Sequence, residues 1–288
     1  MARMRWPSPR RGLFNAVLRL LLWLSAALTG GLLVAIVCYV CYRGLPGLSW
    51  QFLSSAESIL QGTAGILPSI LNTLYVIILS LLIVLPLGVG AAVYLTEYAR
   101  SRRLTAMIEF AAETLAGIPS MIYALVGVIL FCTALGLQKT LLAGSLTLAI
   151  MTLPTIVRAT QESLKTVPKA YREGALGLGA GKWRMIRTVV LPSSVDGIVT
   201  GCILAAGRVV GETAVLMYTA GLSTAMQDFS TIQGLMKASG STLTVALYVY
   251  AKERADFAAA FSVATVLLFL TVLINLAASL AGKCLRRG

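Results

Sequence analysis

Arg208 and Glu212 stand four positions apart in a stretch, 197–235, whose only other charged residue is Asp228. An ionised side chain near the middle of a membrane span costs about 2.5–3.5 kcal/mol on insertion scales, so such residues tend to mark a pathway. A separation of four puts both on one face of a helix. Arg before Glu is the weaker order for stabilising a helix, which makes local stability a poor reason for the pair. Two readings stay open. The pair could be a buried salt link between helices. Alternatively, the Arg208 guanidinium could face a route and meet an oxyanion transiently, its planar fork being suited to bidentate contact. Glu212 would then hold the arginine or repel anions as the route resets. Gly201 and Ala205 lie near that face, and Gly207 and Gly211 form a small-x3-small pair that lets another helix come close.

The second cluster is the basic stretch from Gly174 to Pro192, too polar to span and set between apolar blocks. Pro168 suits the first turn of a helix, with Thr166 as a candidate cap. Ala170, Arg172, Glu173, Ala175 and Leu176 continue it, Gly174 weakens it by up to about 1 kcal/mol relative to Ala, and Gly177 and Gly179 end it. Its small residues leave it thin enough for another protein's groove to approach. A docking helix gripped by a cytosolic partner and an amphipathic helix lying on lipid headgroups both fit this composition.

Several chemistries are excluded by absence. The chain has no histidine, which removes a Ser-His-Asp triad and an H-E-x-x-H metal site. Gly181-Lys182 is followed by Trp183, so no phosphate-binding loop for ATP is present. The expectation is that the chain is no enzyme, carries no cofactor and no metal, and relies on another subunit for any ATP hydrolysis. Cys38 and Cys41 form a C-x-x-C inside an apolar run and read as small packing residues. Asn72, Thr73, Ser120, Tyr123, Thr152 and Thr155 could line a cavity, but more often such groups satisfy backbone or neighbouring helices.

The elements that must position these residues follow from composition. Of 288 residues, 58% are hydrophobic and 12% charged, where a soluble domain carries about 25% charged residues. Lipid is the expected solvent. A span needs about 20 mainly apolar residues. Uncharged runs at 20–42, 58–96, 114–138, 140–157 and 257–282, with the interrupted block 197–235, predict six spans in an all-α polytopic membrane protein. Eighteen basic residues then fall on the side of both termini and five on the other. The positive-inside rule puts the richer side, with both ends, in the cytoplasm. The charge therefore orients the chain and does not point to nucleic acid. The predicted layout is a basic tail over 1–19, a first span over 20–43, a core over 64–282 with a cytoplasmic helix near 168–179, and a basic tail over 283–288. Residues 43–67 read as a turn-rich loop, and residues 243–250 as an apolar segment too short to cross.

Glu173-Gly174-Ala175, three residues, Gly179, nine residues, then Val189-Val190-Leu191-Pro192 resembles the E-A-A-x3-G-x9-I-x-L-P signature of ABC importer permeases. Gly174 and Val189 depart mildly from it. Leu115 to Tyr123, Leu153 to Arg158, Arg208 to Ala214 and Ser241 to Val245 are together similar to the permeases of the high-affinity phosphate importer, more the A-type subunit than the C-type. The resemblance implies a type I permease fold in the bacterial inner membrane. It also implies a coupling helix whose Glu173, Gly174, Ala175 and Gly179 meet a cytosolic ATPase dimer. A second related permease and an external phosphate-binding protein complete the implied assembly. The implied function is ATP-driven phosphate import by alternating access. A permease for sulfate or molybdate, and an ATP-independent secondary transporter or channel, are the competing expectations.

Overall fold

Within a bilayer there is no water to bond the backbone, so each apolar run must satisfy its own N–H and C=O groups, which a helix does. The computed structural model describes residues 9–58, 63–227, 229 and 231–287. Helix α1 (Pro9–Gly44) is 36 residues long, so residues 9–19 of the expected tail are already helical, while residues 1–8 lie outside the described residues. The next loop is more ordered than its glycines suggest. It holds a short helix, α2 (Trp50–Ser54), whose cap Ser49 accepts from the Phe52 N–H at 3.1 Å. An antiparallel hairpin follows, β1 (Ala56–Ser58) and β2 (Thr63–Ile66). It is the one sheet among the described residues of an otherwise helical chain.

Helix α3 (Leu67–Val93) runs through Pro86 without a break and closes in a π turn, Tyr94–Tyr98. Ser101 caps α4 (Arg102–Gly117), an amphipathic helix bent 98° from the next element. That element is α5 (Ser120–Gly127) with its π continuation Val128–Ala134, and Pro119 stands at its N-cap. The chain reverses at Gly136 and Gln138, both with positive φ, and Thr140 caps α6 (Leu141–Thr166). Two short helices come next, α7 (Lys169–Gly177) and α8 (Lys182–Met185). A π turn, Ile186–Val190, and α9 (Leu191–Ser193) lead into α10 (Val195–Gly211). The remaining helices are α11 (Ala214–Thr219), α12 (Ile232–Lys237), α13 (Leu243–Tyr248) and α14 (Phe257–Arg287).

Four helices are long and apolar enough to cross a membrane, and the number reaches six if each of two bent pairs counts as one crossing. The pairs join α4 to α5 and the 182–193 stretch to α10. Helix α6 is the central pillar: 67% of its apolar window is buried, against none of α1's. It packs most extensively on α3 and then on α10. Their shared core includes Val76, Leu148, Met151, Val209, Val215 and Leu216. Helix α1 touches chiefly the start of α14, where Ser262 donates to the Gly44 carbonyl at 3.0 Å and Thr265 to that of Val40 at 3.2 Å. The ends of α3, α6 and α14 and the start of α10 share one end of the bundle with α7, and most of the basic residues gather there.

Candidate functional site

The span carrying Arg208 is broken, and the break separates the two charges. Helix α10 stops at Gly211, and Glu212 beyond it is extended, with φ −83° and ψ 119°. The one-face expectation for Arg208 and Glu212 therefore fails: a shared face requires an unbroken helix. No ion pair joins them among the described residues. Glu212 instead holds the break open. Its carboxylate accepts from the Val215 N–H at 3.3 Å, capping α11, and its carbonyl accepts from the Thr244 hydroxyl at 3.1 Å. A carboxylate at a helix N-terminus is favoured by the helix dipole, and a cation in the last turn of α10 is favoured for the complementary reason. Arg208 occupies that last turn, half-buried.

A methyl on Gly207 or Gly211 would meet nothing within 4 Å, so no helix of this chain approaches there. With Leu204, which is exposed, they form an open stripe beside Arg208. The close crossing is made instead by Gly197, against Ser163, and Gly201, where a methyl would lie 2.8 Å from Ala159 Cβ. Gly197-x3-Gly201 is a small-x3-small pair as legible as the other.

At the basic end, α7 is a true helix, starting one residue later than Pro168. Pro168 is its N-cap and provides no side-chain bond, while the expected cap, Thr166, donates to the Ser163 carbonyl at 2.7 Å. Glu173, Gly174 and Gly179 are exposed, and Gly179 has φ +83°, the left-handed conformation that closes the helix. Ala175 turns inward onto an apolar cluster with Val167, Met185 and Ile186. Around the open glycines, Tyr171, Leu176 and Trp183 are exposed, and Leu178 is 91% exposed. Large apolar groups stand here beside glycines with nothing of this chain packed on them, an exposed apolar patch of the kind that marks protein or membrane contact.

The chain matches the family of binding-protein-dependent transport system inner membrane components over residues 84–287. It belongs to that family. The match covers both clusters, from the last turns of α3 to the end of α14. Among relatives, a probable ABC transporter permease of Bacillus subtilis is 37% identical over 72% of this chain and 70% of its own. The phosphate transport system permease PstA 1 of Mycobacterium tuberculosis H37Rv is 34% identical over 76% of this chain and 70% of its own. Two solved assemblies share the fold. The methionine ABC transporter MetNI gives a TM-score of 0.57 at 20% identity, over 77% of this chain and 94% of that one. A bacterial alginate ABC transporter, bound to a periplasmic protein carrying an alginate pentasaccharide, gives 0.61 at 15%, over 96% and 93%. As a family member the chain is a multi-pass, inner-membrane transport component and not an enzyme.

The partners of two groups of residues in this membrane component are not legible in the sequence. Asn72 donates to the Ser241 carbonyl at 3.0 Å, and Thr73 accepts from the Leu243 N–H at 2.9 Å, pinning the start of α13 to α3. Residues 243–246 are thus buried beside the spans, while Tyr248 is exposed, consistent with a segment too short to cross. Tyr123 and Thr152 likewise donate to backbone carbonyls. The other group is Arg172 with Glu97, which it bonds on the π turn of α3. Nothing in their separation along the chain signals that contact.

Proposed function

We propose that this chain carries inorganic phosphate inward across the bacterial cytoplasmic membrane as the permease half of an ATP-driven importer. It works with a second related permease, an ATPase dimer and an external phosphate-binding protein. The basic end faces the cytoplasm, by the positive-inside rule. The family match and the phosphate permeases among the relatives support the substrate class. The observation that carries the reading is Arg208: a half-buried guanidinium in a spanning helix, with no carboxylate or hydrogen-bond partner among the described residues, beside an open glycine stripe. A cation left unpaired at such depth is best explained by a ligand that comes and goes.

In this mechanism ATP closes the ATPase dimer and moves α7 through the exposed Glu173, Gly174 and Gly179, with Ala175 packed behind them. The spans attached to α7 then change the side to which Arg208 opens. Arg208 meets the oxyanion in passing, and Glu212 fixes the α10–α11 break that sets the arginine's height in the membrane. The test is uptake into proteoliposomes holding the whole assembly. Arg208→Gln should lower phosphate uptake about 10- to 100-fold, the loss expected for one or two charge-assisted hydrogen bonds, with the ATPase still bound. Arg208→Lys should retain part of it, because a point charge lacks the fork. Unchanged uptake in Arg208→Gln would leave Arg208 a structural role only. Wild-type uptake of sulfate or molybdate in place of phosphate would overturn the substrate.

A further inference from the structure

We propose that Arg172 is a positioning residue that locks the docking helix to the second span, so that motion imposed on α7 reaches α3 as well as α6. The proposal rests on the reading of α7 as the ATPase contact. Helix α7 follows α6 after only Val167 and Pro168, so its link to α6 is covalent. Its link to α3 is made by side chains alone. The Arg172 guanidinium sits at the junction of all three elements. Its Nε and Nη2 donate to Glu97 Oε1 at 3.1 and 3.0 Å, at the π turn that ends α3. Its Nη1 donates to the Val167 carbonyl at 2.6 Å, and Nη2 also to that of Leu164 at 2.8 Å, at the end of α6.

The pair is largely out of water, with side-chain exposures of 19% for Arg172 and 7% for Glu97. A buried ion pair is weak as a source of stability, since apolar residues of similar volume often do as well. What it supplies here is direction. The apolar cluster beneath it, Ala92, Val93 and Leu95 against Val167, Met185 and Ile186, resists separation but is non-directional and allows sliding. A planar fork bonded to one carboxylate and two carbonyls fixes the rotation and height of α7 against both helices at once. A second contact grips the same turn: Lys182, which opens α8, lies 4.7 Å from the centre of the Tyr98 ring. The opposite face of α7, with Glu173 and Gly174, is left exposed. Arg172 therefore stands between the docking surface and the spans.

The experiment uses the complete reconstituted transporter with two readouts. The first is ATP hydrolysed per phosphate moved. In Arg172→Gln and in the isosteric Glu97→Gln the ATPase should stay bound and active while this ratio rises about 10-fold, within the range that coupling elements command. Arg172→Lys should fall between these variants and wild type. The second readout needs no substrate. Spin labels replace Lys169 on α7 and Leu82 on α3, both exposed, in a background freed of the five native cysteines. In wild type their distance distribution should stay as narrow with ATP as without, and in Arg172→Gln it should broaden. Unchanged ratio and distances in both Gln variants would overturn the proposal, and so would loss of the ATPase from the complex, which would make the pair a mere assembly contact. If wild type moves no phosphate while the distances respond as stated, the substrate reading fails and the positioning role stands.

Discussion

Tyr250 is a residue whose environment makes a pH prediction. It lies on the π turn Val249–Glu253 after α13, outside the spans, with Arg254 stacked 5.1 Å from its ring centre. Arg254 is itself paired with Glu57 of the hairpin. The Tyr250 hydroxyl is buried without a hydrogen-bond partner among the described residues. Burial, and then the nearby Glu57 carboxylate, raise this phenol above its ordinary value of 10.0. The folded state thus binds the proton more tightly than the unfolded chain does. The group leaves stability unchanged below pH 10 and lowers it as pH rises beyond that value. Tyr250→Phe removes both an unbonded hydroxyl and this alkaline loss. It should be neutral or about 1 kcal/mol more stable at pH 7, with a flatter melting profile from pH 9.5 to 11 in detergent. An unchanged alkaline limb would assign that loss to another group. At this scale the sequence located Arg208 and Glu212 as charges inside a span, but not their separation. That depended on the bonds that Glu212 makes beyond the helix, its carboxylate to α11 and its carbonyl to α13.

Among the elements, α10 shows how one helix can carry two similar glycine pairs with opposite fates. Gly197 and Gly201 sit against α6 with no room for a methyl, and Gly207 and Gly211 face open space. Overpacking a close crossing costs about 1–3 kcal/mol, so Gly201→Val should lower the thermal midpoint of the isolated chain clearly. Gly207→Ala should hold that midpoint or raise it, since alanine is the better helix former by up to about 1 kcal/mol. If both variants melt alike, the contact between α10 and α6 is not where the structure puts it. Pattern alone ranks the two pairs equally, because the rotation of a helix about its axis is set by its neighbours. The same limit applies to α7, whose existence, glycine stop and thin profile were readable, but whose expected cap Thr166 bonds backward into α6. Thr166 is still the last helical residue of α6, whereas a residue that caps the next helix must leave helical geometry.

For the whole molecule, the bundle is asymmetric in what it leaves uncovered. Helix α1 has a fully exposed apolar window, and at the basic end Leu178, Tyr171 and Trp183 stand out beside open glycines. If that end faces the cytoplasm, a cysteine at Leu178 should react with a membrane-impermeant maleimide only after cells are permeabilised, and binding of the ATPase should then block it. Reaction in intact cells would put the docking surface on the outer side and reverse the orientation.

The apolar runs that form the long helices, the polar helix α7 after α6, and the glycine that ends it were all determined by the sequence itself. Each depends on composition over one contiguous window: enough apolar residues to cross, enough charge to forbid crossing, a glycine where φ must be positive. The tertiary structure decided which glycines touch, that Glu212 turns from Arg208 to cap α11, and that Arg172 reaches Glu97. Those outcomes depend on helix rotation, where one residue turns a face by about 100°, and on contacts between segments far apart in the chain. No local window contains that information, because the energy that selects it comes from packing between elements.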